Sequence, residues 1–285
     1  MQEILTDLMT YQFLTNALWA SVLASITCGI IGTYIVSNRI VFLSGGITHS
    51  SFGGIGIGYY MGVNPLFGAA VFSVLSALGI EFFSRKGQIR HDSVIGIWWS
   101  FGMAIGIIFI YITPGYTPNL MTYLFGSILT VSATDLYFMA GLALIIVLFF
   151  ALFYRNILYI SFDEEYARTH GIPVTLMKNI LISLVALVIV LNIKVVGIIL
   201  LISLLTIPQS IANLFSKTFR TIMLLSMGIA LLGVLSGLIF SYMMDIPSGA
   251  SIIFALVLFF VIAKVIQILI NRISLINLGN KTLTK

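Results

Sequence analysis

The stretch that decides the fold runs from Leu43 to Gly58 and reads LSGGITHSSFGGIGIG. It lies in the second of many apolar segments and contains no Asp, Glu, Lys or Arg. Read as a helix, it places four small residues on one stripe at i, i+4 spacing: Gly46, Ser50, Gly54 and Gly58. Small residues at this spacing let two membrane helices approach backbone to backbone. The stretch therefore predicts a tightly packed membrane helix.

One histidine, His49, lies in this stretch, and it is the only histidine of the chain inside an apolar segment. The residues one turn before and after it are Gly45 and Gly53, which leave space around the imidazole. A polar group that binds metals, placed at membrane depth, is a functional-site candidate. The alternative is a packed histidine that hydrogen-bonds a backbone carbonyl. The residue alone leaves both interpretations open.

Composition places the whole chain in a membrane. Its 285 residues are 60% hydrophobic and 8% charged, with a mean hydropathy of +1.13, whereas soluble domains carry about 25% charged residues. We therefore predict an all-α, polytopic transmembrane bundle that forms a single domain over residues 1–285. The net charge of +5 is spread among short loops and does not indicate a nucleic-acid partner. The single cysteine, Cys28, excludes an intrachain disulfide.

The apolar runs predict about nine spans, within a range of eight to ten, since a span needs roughly 20 residues. Two features limit the precision of this count. Residues 192–194, Asn-Ile-Lys, interrupt an apolar run, and Pro208 ends the next one. The apolar piece from Leu120 to Leu129 is too short to span and predicts a re-entrant or surface helix. The expected spans are about 13–36, 40–62, 66–83, 94–112, 136–154, 176–191, 195–207, 222–244 and 250–270.

The distribution of basic residues predicts the orientation. Cytoplasmic loops of membrane proteins gather Lys and Arg. With the N-terminus outside and the C-terminus in the cytoplasm, all but one of the 14 basic residues fall on or near the cytoplasmic side. Lys194 is the exception. The opposite orientation would place almost every basic residue outside.

The longest polar stretch predicts a short helix at about residues 161–171, on the cytoplasmic face. Ser161 and Glu164 have the spacing of a capping box, with Ser161 as the N-cap. Acidic residues follow in the first turn, where the helix dipole favours them, and Gly171 fits the position just after the helix. This helix is either an ordinary loop helix or a docking helix for a cytoplasmic partner. The chain has no G-x-x-x-x-G-K-[ST] phosphate loop, so an ATP-driven transporter would need another polypeptide as its motor.

Several segments together carry a family resemblance. The chain resembles, over nearly its whole length, the membrane permease of bacterial ABC importers for zinc, manganese or ferrous iron. The segments that carry the resemblance are 45–49, 92–97, 162–168 with 171–173, 196–200 with 207–208, and 245–250.

The resemblance implies the fold, the partners and the location. It implies a multi-pass protein of the bacterial cytoplasmic membrane that pairs with a second permease copy to form a homodimer. A cytoplasmic ATP-binding-cassette ATPase would dock below, and an extracytoplasmic metal-binding protein would deliver the ion. The cargo would be a divalent metal ion, with no permanently bound cofactor and no enzymatic activity in this chain. The polar stretch would be the coupling helix, with the residues Asp163, Glu164, Glu165, Arg168 and Gly171.

The resemblance also implies a metal pathway through His49. The family has an aspartate four residues before this histidine, and this chain has Gly45 instead. Imidazole suits zinc and iron, whereas carboxylate favours harder ions such as manganese. The loss of the carboxylate therefore favours zinc slightly over manganese. Asp245 is a second pathway candidate, at the entrance, or else it caps the helix that begins near Pro247.

Two other functions stay open at this point. A permease for a metal chelate, of siderophore or cobalamin type, would share the coupling helix and have a wider pathway. A self-sufficient secondary transporter would be expected to show internal repeats and intramembrane carboxylates. Here the acidic residues lie at the ends of spans.

Overall fold

The computed structural model describes residues 11–283 except for residues 88, 115–125 and 127. The described part is helical throughout, with one short 3-10 turn, Ile128–Thr130. The predicted piece Leu120–Leu129 lies largely outside the described residues. In chain order the helices are α1 Gln12–Ser37, α2 Val41–Tyr60, α3 Pro65–Lys86, α4 His91–Ile112, α5 Ala133–Leu152, α6 Tyr154–Phe162, α7 Glu164–Thr169, α8 Val174–Val196, α9 Ile198–Leu204, α10 Ile207–Phe215, α11 Phe219–Met244 and α12 Ser248–Leu283.

The number of membrane-crossing segments agrees with the sequence. Among the described residues, eight helical segments are long and apolar enough to cross a membrane, with α9 and α10 together forming one of them. Helix α2 is 20 residues long and uncharged, but its glycines, serines and His49 make it less apolar than these eight. Counting α2 gives nine segments. The predicted all-α polytopic bundle is therefore confirmed.

The break near Asn192 lies elsewhere than predicted. Helix α8 continues through Asn192 to Val196 and ends at Gly197, which has a φ of 78°. Asn192 does not interrupt the helix because its amide donates a hydrogen bond of 2.8 Å to the carbonyl of Val188, one turn earlier. The chain turns instead at Gly197, because glycine adopts positive φ without a steric penalty.

The prediction that Pro208 ends an apolar span is also wrong. It does not end a span but lies in the first turn of α10. The N–H groups of the first turn make no hydrogen bond within the helix, so a proline is tolerated there. The residues between the predicted spans 195–207 and 222–244 are helical up to Phe215. Gln209, in this helix, is fully buried, and its amide donates to the carbonyl of Cys28 on α1 at 2.9 Å. This contact holds the broken helix against the bundle.

Two helices form the centre of the single chain. In the most apolar window of α1, 72% of the residues are buried, and in that of α8 67% are buried, against 17% for α12. Helix α2 packs between α3 and α4, and α8 covers α3. Helix α1 contacts α5 and α11, and α12 packs on α11. Helix α2 is thus held on two sides by neighbours.

Candidate functional site

Helix α2 approaches both neighbours through glycine. A Cβ atom added to Gly54 would lie 2.2 Å from the carbonyl oxygen of Gly68 on α3. A Cβ atom added to Gly102 on α4 would lie 2.5 Å from Cα of Ser50. Both distances are shorter than a side chain tolerates, so the backbones are in direct contact. Such contacts fix the register of α2 against α3 and α4.

The small residues of the predicted stripe lie against two different helices. Gly46 and Ser50 face α4, where a Cβ atom on Gly46 would lie 2.4 Å from Cγ2 of Ile95. Gly54 and Gly58 face α3 instead, and a Cβ atom on Gly58 would lie 2.8 Å from Cα of Pro65. The sequence predicts close packing at these positions, and the structure assigns the two ends of the stripe to different neighbours.

The serine and threonine hydroxyl groups of α2 are all satisfied within the helix. Thr48 and Ser51 each donate to a backbone carbonyl of the preceding turn at 2.6 Å. Ser44 and Ser50 do the same at 2.7 and 3.0 Å. These residues therefore place no free polar group between the helices.

His49 differs from the other polar residues of α2. Its side chain is half-buried, and its Nδ1 atom is buried without a hydrogen-bond partner in the described structure. The ring stacks on the indole of Trp99 on α4, with ring centroids 4.1 Å apart and planes 7° apart. The packed-histidine interpretation requires a carbonyl partner for the ring, and Nδ1 has none. A buried nitrogen without a partner costs about 1–3 kcal/mol unless a ligand completes it.

Gly45 leaves open space one turn before His49. A Cβ atom added there would meet only Cζ3 of Trp99, at the ordinary contact distance of 3.9 Å. A larger side chain at this position therefore begins without a clash. The aspartate that the family resemblance places at this position is compatible with this backbone.

A single chain does not enclose a metal ion in its described part, where no three His, Cys, Asp or Glu residues come together. One imidazole beside an open position gives a weak and reversible ligand. A transport pathway requires this property, because a closed tetrahedral site would retain the ion.

The loop between α5 and α8, which the sequence predicts to be cytoplasmic and which we call the cytoplasmic loop, forms two short helices, and its cap differs from the prediction. Ser161 lies within α6, and the N-cap of α7 is Asp163. Its carboxylate accepts hydrogen bonds from the backbone N–H groups of Glu165 and Tyr166, both at 3.0 Å. The capping box with Ser161 is therefore wrong, because a carboxylate nearer the helix takes its place. Gly171 follows the helix with a φ of 74°.

One face of this loop is exposed, and the other is fixed to the bundle. Ala167 is fully buried, whereas Phe162 is 79% exposed and Arg168 is also exposed. Glu164 forms an ion pair with Lys178 on α8. The exposed face combines an aromatic and a basic side chain.

A second contact connects the same end of α8 to α3. Arg85 near the end of α3 pairs with Glu81 and donates to the hydroxyl of Thr175 at 3.1 Å. Helix α3 in turn packs on α2. A continuous set of contacts therefore leads from α7 through the start of α8 and α3 to the helix that carries His49.

Asp245 lies outside this arrangement of helices α2–α4. It is exposed and forms the C-cap of α11 in the left-handed conformation, with φ 52° and ψ 45°. One of the two predictions for Asp245 is that it caps the start of α12. The structure assigns it to the end of the preceding helix.

Three features of the structure were missed in the sequence. Trp99 contacts His49, Gln209 fixes α10 to α1, and Lys194 pairs with Asp135 at 2.7 Å. Each joins residues of different helices. A single sequence contains no signal for such pairs beyond the unusual presence of a polar or aromatic residue in an apolar segment.

A family model agrees with these observations. Residues 10–267 match the model described as the ABC 3 transport family. The matched region covers nearly all of the membrane helices and the cytoplasmic loop. Membership in an ABC family argues against the self-sufficient secondary transporter.

Individual relatives extend over most of the chain. An uncharacterized membrane protein of Synechocystis is 44% identical over 253 residues, covering 89% of this chain and 90% of its own. The manganese transport system membrane protein MntC of Halalkalibacterium halodurans is 34% identical, covering 89% of both chains. MntC of Listeria monocytogenes is 35% identical, covering 91% of this chain and 92% of its own.

Solved structures have the same fold. PsaBC from Streptococcus pneumoniae, in complex with Fab, matches with a TM-score of 0.82 and 30% identity, covering 92% of this chain and 94% of that one. A metal-chelate type ABC transporter in an inward-facing conformation matches with a TM-score of 0.68 and 17% identity, covering 92% and 88%, and shows the fold alone. The predicted multi-pass protein of the bacterial cytoplasmic membrane is confirmed, and the chain belongs to the ABC 3 transport family.

Proposed function

We propose that this chain forms the membrane pathway of an importer for a divalent metal ion, with His49 on the path of the ion. The transport cycle is driven by a separate cytoplasmic ATPase that docks on the loop containing α7. A second copy of the permease completes the pathway, and an extracytoplasmic binding protein delivers the ion.

The observation that carries this proposal is the unpaired Nδ1 atom of His49. Every serine and threonine hydroxyl of α2 bonds to its own helix, whereas this nitrogen is buried and has no partner. His49 also lies near the middle of a 20-residue helix, far from either end. A neutral imidazole nitrogen is a common metal ligand. One such ligand from each of two copies would give a site that binds an ion in transit and releases it.

The cytoplasmic contacts support coupling to a motor. The exposed face of α6 and α7 presents Phe162 and Arg168, while Glu164 is fixed to α8 by Lys178. Force applied to α7 would therefore act directly on the first turn of a central helix. Asp163, Glu165 and Gly171 set the geometry of this segment, and we assign them to the same coupling element.

Two cargo ions have specific support. Manganese is favoured by relatives, because the MntC proteins at 34% and 35% identity are named for manganese transport. Zinc is favoured by Gly45, which leaves His49 without a carboxylate at the neighbouring turn. We place manganese first, because the similarity to the manganese relatives extends over the whole bundle.

A metal chelate is the second candidate function. A transporter described as metal-chelate type shares this fold at 17% identity, and the fold serves either cargo. A chelate shields its metal from protein ligands, so an unpaired imidazole would have no direct role in carrying it. The two functions therefore predict different consequences of changing His49.

The test is the metal content of metal-starved cells that express the complete transporter, measured by elemental mass spectrometry. We compare the wild-type permease with His49→Ala and His49→Gln. Glutamine keeps a polar side chain of similar reach but provides no imidazole nitrogen. We expect a selective gain of one metal with the wild type and its loss with both variants, while the ATPase still co-purifies with the permease.

Other outcomes discriminate among the alternatives. An equal gain with wild type and both variants would keep the importer but remove His49 from the path. A full gain with His49→Gln and none with His49→Ala would assign His49 to packing. No gain of any free metal, with the complex assembled, would support the chelate.

A further inference from the structure

We propose that Trp99 is a positioning residue for His49, and that its indole ring fixes the imidazole in the orientation that meets the passing ion. This inference rests on the proposed function, because it concerns the same site. It assigns a role in metal selectivity to a residue of α4, whereas the sequence motif lies entirely on α2.

The contact between the two rings is close and parallel. Their centroids are 4.1 Å apart and their planes differ by 7°. Stacking covers one face of the imidazole and leaves the lone pair in the ring plane free, so it restrains the ring without occupying the ligand atom. Both residues are half-buried.

The backbone around the stack is rigid on both sides. One turn before it, the Gly46 backbone lies against Ile95, and a Cβ atom there would be 2.4 Å from Cγ2. On the other side, a Cβ atom added to Gly102 would lie 2.5 Å from Cα of Ser50. Along α2, His49 lies between Gly46 and Ser50. Along α4, Trp99 lies between Ile95 and Gly102. The two rings therefore have little freedom to separate by movement of the helices.

The stack takes the place of a missing hydrogen bond. Metal-binding histidines are usually oriented by a hydrogen bond from the second ring nitrogen to a carboxylate or a carbonyl. Here neither ring nitrogen of His49 makes such a hydrogen bond in the described structure, so the nitrogen that does not meet the ion has no orienting partner. Without Trp99, the imidazole would be free to rotate about its Cβ–Cγ bond.

The same indole borders the space left by Gly45. Its Cζ3 atom lies 3.9 Å from the position that a Cβ atom on Gly45 would occupy. Trp99 therefore contacts His49 and also forms one wall of the open position beside Gly45. A change at Trp99 should alter the ratio of manganese to zinc transport as well as the rate.

The experiment compares Trp99→Leu and Trp99→Phe in the complete transporter. Trp98→Phe serves as the matched control, because Trp98 lies on the same helix and packs on Phe83 and Phe101. Uptake from MnCl2 and from ZnCl2 is measured separately in metal-starved cells. With Trp99→Leu we expect the maximal rate to fall about three- to tenfold, the range that loss of one aromatic stack produces.

Several readouts separate positioning from general damage. The concentration of metal at half-maximal uptake should stay at the wild-type value, because a separate protein captures the metal. Trp99→Phe should recover most of the rate, since phenylalanine also stacks. The manganese-to-zinc ratio should change with Trp99→Leu and not with Trp98→Phe. Co-purification of the ATPase should be equal in all variants.

A double-mutant cycle gives the decisive comparison. The cycle is measured on the residual uptake of His49→Ala above that of cells without the permease, and if Trp99 acts through His49, adding Trp99→Leu lowers this residual uptake no further. Independent, multiplying effects of the two changes would overturn the role of Trp99 and leave His49 on the path. A His49→Ala variant with wild-type uptake would overturn the proposed function itself, whatever Trp99→Leu does.

Discussion

Glu164, the first residue of α7, forms an ion pair with Lys178 in the first turns of α8. The side chain of Lys178 is 20% exposed and that of Glu164 is 39% exposed, so solvent screens the pair only in part. The pair joins the cytoplasmic loop to a central helix of the bundle. It is the most direct contact through which a motor docked on α7 would act on the membrane helices.

We expect Glu164→Lys to reduce metal uptake strongly, because it places two positive charges in contact. The charge swap, Glu164→Lys with Lys178→Glu, should restore a large part of the uptake. Lys178→Glu alone is the matched control for the swap, because it places two negative charges in the same contact. Uptake and ATP hydrolysis of the purified complex are measured together. Failure of the swap to restore either activity, with the complex intact, would argue against a role for the ion pair in coupling.

Gly54→Ala should destabilise the permease. Its added methyl group would lie 2.2 Å from a backbone oxygen of Gly68, which has no flexible end to move away. Overpacking of this kind costs about 1–3 kcal/mol. The measurement is the melting temperature of the detergent-purified permease.

Gly141→Ala is the matched control for Gly54→Ala. Gly141 lies within α5 and has nothing within 4 Å of an added Cβ atom. Alanine is the better helix former by about 1 kcal/mol, so this variant should melt at the wild-type temperature or above it. If both variants melted alike, the close approach of α2 and α3 would be in doubt.

Gly45→Asp should assemble normally and shift transport toward manganese. A Cβ atom at Gly45 would meet only Trp99, at an ordinary contact distance, and a carboxylate near His49 is a harder ligand. Gly45→Ala is the control, because it fills the same space without the oxygen ligands. The readout is the ratio of manganese to zinc accumulated from an equal mixture. A ratio that changes equally in both variants would assign the effect to volume rather than to charge.

The contrast between α8 and the His49 site shows what the sequence can predict. Long apolar runs are sufficient to predict membrane helices, because the bilayer requires every backbone group to be bonded within its helix. The same rule explains why the polar residues 192–194 do not interrupt α8, since Asn192 bonds to its own helix. A hydropathy pattern cannot distinguish this case from a true break.

The site itself was only half predictable. His49 is recognisable because a histidine in an apolar segment is costly. Trp99 is not, because its contact depends on the relative register of α2 and α4. That register is set by glycine contacts such as that of Gly102 with Ser50. The sequence does not predict which residue each glycine contacts. The cap of α7 was misassigned because Ser161 and Asp163 are both good N-cap residues, and the structure uses the second.

The final prediction concerns Asp135 and Lys194, at the end of the bundle that the sequence predicts to be extracytoplasmic. Asp135 accepts hydrogen bonds from the backbone N–H of Ser132 at 3.0 Å and from its hydroxyl at 2.6 Å, and it pairs with Lys194 at 2.7 Å. Ser132 is the N-cap of α5, and Asp135→Ala removes the carboxylate half of its capping box together with the ion pair. Lys194→Met removes the ion pair alone and keeps the apolar stem of the side chain.

We therefore expect Asp135→Ala to lower stability more than Lys194→Met does. The two hydrogen bonds that Asp135 accepts from Ser132 contribute about 0.5–1.5 kcal/mol each, whereas a partly exposed ion pair contributes less than about 1 kcal/mol. Lys194 is 40% exposed, so salt should weaken its contribution further. Melting of the purified permease at low and high salt measures both effects. Equal losses for the two variants at low salt, which disappear at high salt, would show instead that the ion pair and not the cap holds the start of α5.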